Sequence, residues 1–236
     1  MKLNSYPSNP VSIYVENPSK WYDLIQDYWV KQESTIESVT GGVDDVSTQD
    51  LRYTYCVLLL LQSEGKITGG RVADCGGGIG RVSYQVLSHF FQAIDVIDIV
   101  PQYLLKARKF LEKEVKDVKV YQVSLPDWSP STTYDAFYFQ WILCNITDED
   151  IVLLLQRCKE NASPNCIFIV KENIAGPSLE CEKSCYEYYP KNGSICRTFK
   201  HFTQLFRDAG LILDEYRVQP NWPEEYLPLC MFILHM

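Results

Sequence analysis

The chain has 236 residues and is 46% hydrophobic, enough for one well-buried domain and too apolar for a disordered chain. Its formal charge of -8 and pI near 5.0 argue against nucleic-acid binding and fit a basic partner better. The nine cysteines, at 56, 75, 144, 158, 166, 181, 185, 196 and 230, are odd in number and scattered through apolar segments, which reads as free thiols in a reducing compartment.

The opening MKLNSYPSNP is polar and broken by proline, unlike a signal sequence or a membrane anchor. The longest apolar run, CVLLLL at 56–61, is too short to span a bilayer. Asn17-Pro18-Ser19-Lys20 opens a helix bearing Trp21, Leu24, Ile25, Tyr28 and Trp29 at helical spacing. A loop with Gly41-Gly42 follows, and Ser47 with Asp50 resembles a capping box before a second helix running to about Gln62. From Arg71 strands and helices alternate, with strands predicted at 71–75, 93–98, 118–123, 134–139 and 165–171 and helices near 79–91, 101–114, 147–160 and 195–209. Apolar strands separated by such helices imply a parallel sheet covered on both faces. LILDEYRVQ and LPLCMFILH then predict an antiparallel hairpin around the NWPEEY loop. The expected fold is α/β, one doubly wound domain over 1–236. Residues 1–65 form a helical extension or lid, and 66–236 a Rossmann-like core of seven mostly parallel strands.

In such a sheet the ligand sits beyond the carboxyl ends of the strands, at the switch point after the first. There the sequence reads VADCGGGIGRV (72–82), with the pattern Asp74-x-Gly76-x-Gly78-x-Gly80. A dinucleotide fingerprint needs a third glycine where Arg81 stands, and a P-loop needs Gly-Lys-Ser/Thr. Asp98 ends the second strand, where a carboxylate can accept both hydroxyl protons of a ribose. A glycine turn packed tightly without a ligand is the alternative. DxGxGxG with that acid resembles the first two motifs of class I S-adenosylmethionine (AdoMet) methyltransferases. No Gly-x-Ser-x-Gly is present, and the only histidines are His89, His201 and His235.

Further segments carry a closer resemblance. DYWVKQ (27–32), DCGGGIGRV (74–82), IDVIDI (94–99), FQWIL (139–143), ITDED (146–150), PNCIFIVKENIA (164–175) and SICR (194–197) together resemble the eukaryotic protein α-N-terminal methyltransferases, which methylate proteins beginning Xaa-Pro-Lys or Xaa-Pro-Arg. The resemblance runs from about Trp21 to Leu234, apart from an insertion near 179–190. It implies AdoMet as cofactor, S-adenosylhomocysteine as product, no metal, and protein N-termini as partners. It further implies that Gly76, Gly78 and Arg81 hold the methionyl end, and that Asp98, Ile99 and Val100 hold ribose and adenine. Ser124 and Leu125 would flank the adenine, Gln140 would touch the methionyl part, and Trp29 would close the pocket. Trp141, Asn173, Asn192, Ser194 and Tyr226 would form the peptide channel, with Asn173 orienting the amine. The alternatives are that Trp29 is simple core and that Asn173 caps a loop. Cys181, Cys185, Cys196 and His201 lack the close paired spacing of structural zinc sites.

The chain departs from the family where a proton acceptor is expected. Asn145 stands at the family's histidine and Asn192 at its aspartate, and neither carboxamide can act as a general base. An α-amine of pKa about 7.7–8.0 is some 10–15% neutral at pH 7, so deprotonation costs roughly 1.0–1.4 kcal/mol; a lysine side chain would cost about 4.6 kcal/mol. The expected activity is therefore α-N-terminal methylation, slow or assisted by water or by Glu180, Glu182 or Glu187. A drifted acceptor, or an AdoMet-binding protein that recognises N-termini, are the alternatives. A monomer in cytoplasm and nucleus, binding neither nucleic acid nor membrane, completes the expectation.

Overall fold

A computed structural model describes residues 17–40, 44–176, 179 and 186–236. Helix α1 (Pro18–Val30) starts where Asn17 accepts the Lys20 N–H and Pro18 takes the first position, a strong local start signal. It buries Trp21 and Ile25. A short α2 (Ile36–Val39) leads to α3 (Asp44–Ser63).

The strands in chain order are β1 (Arg71–Cys75), β2 (Ala93–Asp98), β3 (Asp117–Gln122), β4 (Tyr134–Gln140), β5 (Ala162–Asn173), β6 (Tyr186–Tyr189), β7 (Ser194–Arg197), β8 (Ile212–Val218) and β9 (Leu229–His235). β6 and β7 pair with each other, and the other seven form one sheet in the order β3-β2-β1-β4-β5-β9-β8. Neighbours from β3 to β5 are parallel. The final hairpin is entered in reverse: β9 inserts between β5 and β8, antiparallel to both. So β8 runs with the other strands and β9 alone against them.

Helices α4 (Arg81–Gln85), α5 (Pro101–Leu111), α6 (Asp148–Glu160) and α7 (Phe199–Asp208) cover the sheet. Alternation along β4 shows how. Phe137 and Phe139 join Phe168, Val170 and Phe232 beneath Leu154 of α6 and Phe202 of α7. Ala136 and Tyr138 face the other way, to Val72, Ile169 and Leu58 of α3 and Leu104 of α5. Both faces are covered, so the central strands carry apolar stretches such as AFYF in β4 and CIFIV in β5 rather than a strict alternation.

Three sequence expectations are corrected. Ser47 and Asp50 do not cap α3: the helix starts at Asp44, and both side chains are buried within it. The helix expected over 79–91 is α4 followed by a 3-10 turn, Leu87–His89. Gly80, at φ 75, delays its start, and a Cβ there would lie 2.9 Å from that of Ala107. The helix expected over 195–209 begins only at Phe199, capped by Thr198. Ser194–Arg197 is instead strand β7 of the separate hairpin. Arg197 explains the difference: fully buried, it donates to the carbonyls of Leu143 and Ile146 and to Asp148, long-range partners that override local pattern. Gly41-Gly42, Glu180, Glu182, Cys181 and Cys185 lie outside the described residues.

Candidate active site

The carboxyl ends of β1, β2 and β4 open onto a cavity of about 580 Å³, and α1 lies across it. The glycine turn forms its floor. Gly76, Gly78 and Gly80 all have positive φ (73, 56 and 75°), a backbone only glycine adopts freely. Their spaces differ. A Cβ at Gly76 would strike the Ile142 side chain, at 2.3 Å from Cγ1, whereas one at Gly78 would meet nothing within 4 Å. Close packing therefore demands glycine at 76, and only the cavity faces 78.

Asp98 is fixed by backbone. Its Oδ2 accepts the Gly78 N–H (3.0 Å) and its Oδ1 the Val100 N–H (2.8 Å). Burial pushes its carboxyl up to about 6, partly restrained by those amides. It has no salt-bridge partner among the described residues, so its remaining lone pairs suit neutral donors such as ribose hydroxyls. Ile99, Val100, Ser124 and Leu125 line the same end. The Ser124 hydroxyl donates to Asp127.

Arg81 and Gln140 also line the cavity, held from behind by a group that the sequence reading missed. Asp50, fully buried in α3, accepts from Arg81 Nη2 (2.7 Å), Lys171 Nζ and Gln140 Nε2 (2.9 Å). Burial opposes its ionisation, yet Lys171 and Arg81 together draw its carboxyl below the ordinary range. Burial lowers Lys171 to about 8 despite the pairing with Asp50. Arg81 spends two of its five N–H groups on Asp50 and Ser47, leaving others for an anionic ligand. A charged residue inside a helix of mixed pattern carries no signal that separates it from a solvated one.

The wall beyond β4 is strained and braced. Trp141 is a non-glycine residue at φ 54. Its indole N–H donates to Asn173 Oδ1 (2.9 Å), and the Arg81 guanidinium lies 5.3 Å from its ring centroid. Glu172 accepts the N–H groups of Ile142 (2.8 Å) and Leu143 (2.7 Å). Burial pushes that carboxyl up to about 7, the amides restraining the rise. Arg197 clamps the same turn from its carbonyls and meets Asp148, which also meets His201. Burial works against Asp148 ionising, but His201 and Arg197 hold its carboxyl well below the usual range.

The expected site residues thus fall into two groups. Trp29, Gly76, Gly78, Arg81, Asp98, Ile99, Val100, Ser124, Leu125, Gln140, Trp141 and Asn145 share the cavity. Asn173, Asn192, Ser194 and Tyr226 do not line it. Asn173 touches it through Trp141. Asn192 accepts from the N–H (3.1 Å) and hydroxyl (2.8 Å) of Ser194, closing the β6–β7 turn. Tyr226 reaches Trp141 only through Trp222, with centroids 6.2 and 6.5 Å apart. Glu187 accepts from the Gly176 N–H and the Tyr189 hydroxyl, so its carboxylate is spent on the hairpin. The described residues contain no group of three potential metal ligands, and no described helix is long and apolar enough to cross a membrane.

Helix α1 completes the cavity. Trp29 packs against Val100, Tyr103 and Ile99, and its indole N–H is buried without a partner. Seven residues earlier, Tyr22 donates to Asp150 Oδ2 at 2.5 Å and accepts the Thr147 N–H. Trp21 anchors the outer face by donating to the Gly193 carbonyl (2.8 Å).

A doubly wound sheet of this strand order, with a glycine turn at β1 and an acid ending β2, defines a class I AdoMet-dependent methyltransferase. The fold matches a SAM-dependent methyltransferase from Leishmania major (TM-score 0.82, 26% identity, 91% of this chain and 83% of that one). It also matches a magnesium protoporphyrin IX methyltransferase from Synechocystis with bound SAM (TM-score 0.60, 13% identity, 99% and 100% covered), a likeness of fold alone. The particular family follows from sequence: residues 17–235 match the AdoMet dependent proline di-methyltransferases, and the chain belongs to that family. Relatives include N-terminal Xaa-Pro-Lys N-methyltransferase 1-B of Xenopus laevis, 32% identical over 93% of this chain and 97% of its own. The mouse N-terminal Xaa-Pro-Lys N-methyltransferase 1 is 31% identical over 224 residues, again 93% and 97%.

Proposed function

We propose that this protein transfers the methyl group of AdoMet to the α-amino group of proteins or peptides beginning Xaa-Pro-Lys or Xaa-Pro-Arg. The observation that carries the reading is end-to-end similarity to relatives named for that substrate, in a chain that keeps the cofactor turn and Trp141. The site fits the cofactor on its own geometry. Gly78 faces open space, the Trp29 indole N–H lacks an acceptor, and Asp98 keeps acceptor capacity toward the cavity.

When bound, AdoMet supplies an electrophilic methyl on its sulfonium sulfur. In this reading Gly76, Gly78 and Arg81 receive the methionyl end with Gln140. Asp98 takes the ribose, Ile99, Val100, Ser124 and Leu125 flank the adenine, and Trp29 covers it. Trp141 offers a flat wall to the proline ring, and Asn173 fixes its plane. Asn192, Ser194 and Tyr226, which do not line the cavity, would meet only peptide that extends beyond it. Alignment of acceptor and donor is the main contribution such a cavity makes. The acidic composition suits a basic substrate. A monomer in cytoplasm and nucleus is part of the proposal; the odd, scattered cysteines support only the reducing compartment.

Mass spectrometry of Pro-Lys and Pro-Arg peptides, free and N-acetylated, incubated with protein and AdoMet tests the reading. Methylation confined to free N-termini is expected. Cofactor binding with no turnover on any peptide refutes it.

A further inference from the structure

Asn145 faces the cavity without a charge, so a cationic acceptor must find its counter-charge elsewhere on the lining. Five carboxylates line the cavity: Asp23, Asp74, Asp98, Asp127 and Asp150. Asp74 lies behind the glycine turn and takes the Ser83 hydroxyl. Asp98 is pinned by Gly78 and Val100, and Asp127 takes Ser124. Asp23 is exposed on α1, and Asp150 stands elsewhere. Helix α1 packs Trp29 beside Val100 at one end of the cavity and bonds Tyr22 to Asp150 at the other. Seven residues of helix separate these contacts, about 10 Å along the axis. Asp150 therefore lies away from the ribose acid.

Its surroundings hold it ready for a cation. Asp150 Oδ2 accepts the Tyr22 hydroxyl (2.5 Å) and the Thr147 hydroxyl (2.7 Å), while its own N–H donates to Thr147. No described residue occupies Oδ1. Acids in a first helical turn often only complement the helix N-terminus. Here Asp148 already faces Arg197 and His201 and Glu149 is exposed, whereas Asp150 lines the cavity. A second observation stands beside it. Asn145 is 6% exposed, lines the same cavity, and its carboxamide oxygen is buried with no hydrogen-bond partner. The cavity lining thus includes two oxygens, Asp150 Oδ1 and Asn145 Oδ1, that no donor of a described residue meets, and an ammonium has three donors and a charge.

Resting on the N-terminal methylation reading, we propose that Asp150 receives the substrate's α-ammonium, with Asn145 as second acceptor and Tyr22 and Thr147 as positioning residues. An ion pair favours the charged amine, so Asp150 recognises rather than deprotonates. The ion pair makes the proton harder to release, yet an α-amine, which starts far closer to neutrality than a lysine side chain, still yields it to water the more readily of the two.

Calorimetry on S-adenosylhomocysteine-loaded protein, with an Ala-Pro-Lys peptide free or N-acetylated, tests this. The native protein should bind the free peptide at least tenfold more tightly than the acetylated one. Asp150→Asn should lose that preference while leaving affinity for the acetylated peptide and for S-adenosylhomocysteine unchanged, with a modest fall in melting temperature from the weakened Tyr22 and Thr147 contacts. Tyr22→Phe should lose part of the preference, and Asp23→Asn none. Full preference retained in Asp150→Asn, equal weakening of both peptides, or loss of preference in Asp23→Asn instead would overturn the assignment. If native protein methylates the free peptide while Asp150→Asn keeps its preference, this inference fails and the function stands. If native protein neither binds nor methylates the peptide, both fall.

Discussion

Replacing Asp50 with asparagine tests whether the buried network behind the cavity carries charge. Asp50 and Lys171 are both inaccessible, and Arg81 and Gln140 lean on the same carboxylate. Removing one partner of a buried pair typically costs about 3–5 kcal/mol. Lys171 sets the ceiling, since stripping its proton at pH 7 from an ordinary pKa of about 10.4 costs about 4.6 kcal/mol. With Asp50 present, Lys171 keeps its proton to about pH 8. Without it the folded variant holds a neutral amine while the unfolded chain still binds the proton. The variant's stability therefore rises with pH by about 1.4 kcal/mol per unit, and native stability acquires that slope only above pH 8. Urea denaturation should show the Asp50→Asn variant about 3–5 kcal/mol less stable at pH 7, the gap narrowing by up to about 2.7 kcal/mol from pH 6 to pH 8. Adding Lys171→Met, which removes the orphaned amine at similar volume, should recover most of the loss. A gap below about 1 kcal/mol, or one that does not change between pH 6 and 8, refutes the reasoning.

Asp98, with its carboxyl raised to about 6, should make S-adenosylhomocysteine affinity fall about tenfold from pH 7 to pH 5, following its ionised fraction. A raised acid takes up its proton in the folded state first, so this group stabilises the fold as pH falls through 6, and stability measured alongside separates lost affinity from unfolding. Gly78→Val should fold at a cost of about 1–3 kcal/mol for its left-handed backbone yet lose at least tenfold in cofactor affinity by calorimetry, because only the cavity lies before it; unchanged affinity would displace the cofactor from the turn. Asn145→His should speed methylation of a Pro-Lys peptide at least tenfold at pH 7, about 1.4 kcal/mol in barrier, and by less at pH 9, where the amine needs no help. An equal gain at both pH values would show that the imidazole is not moving a proton.

The alternation of apolar strands with helices, and a glycine turn too tight for side chains, were enough to state the doubly wound sheet, its switch point and the acid of β2. These are local or periodic signals, since a buried parallel strand is mostly apolar on both faces and glycine alone adopts a left-handed backbone at no steric cost. Twelve of the expected site residues meet in one cavity because the switch point of such a sheet is set by topology. The tertiary structure alone decided the rest. Asp50 read as a cap because a lone acid near a helix start looks the same whether it faces water or Lys171 across the sheet. Ser194–Arg197 read as helix because its partners, the carbonyls at 143 and 146 and the hairpin strand at 186–189, are distant in sequence. Asp150 passed unnoticed in ITDED because three consecutive acids look alike until Arg197, solvent and the cavity each claim one. Charge, unlike periodicity, takes its meaning from what folding places opposite it.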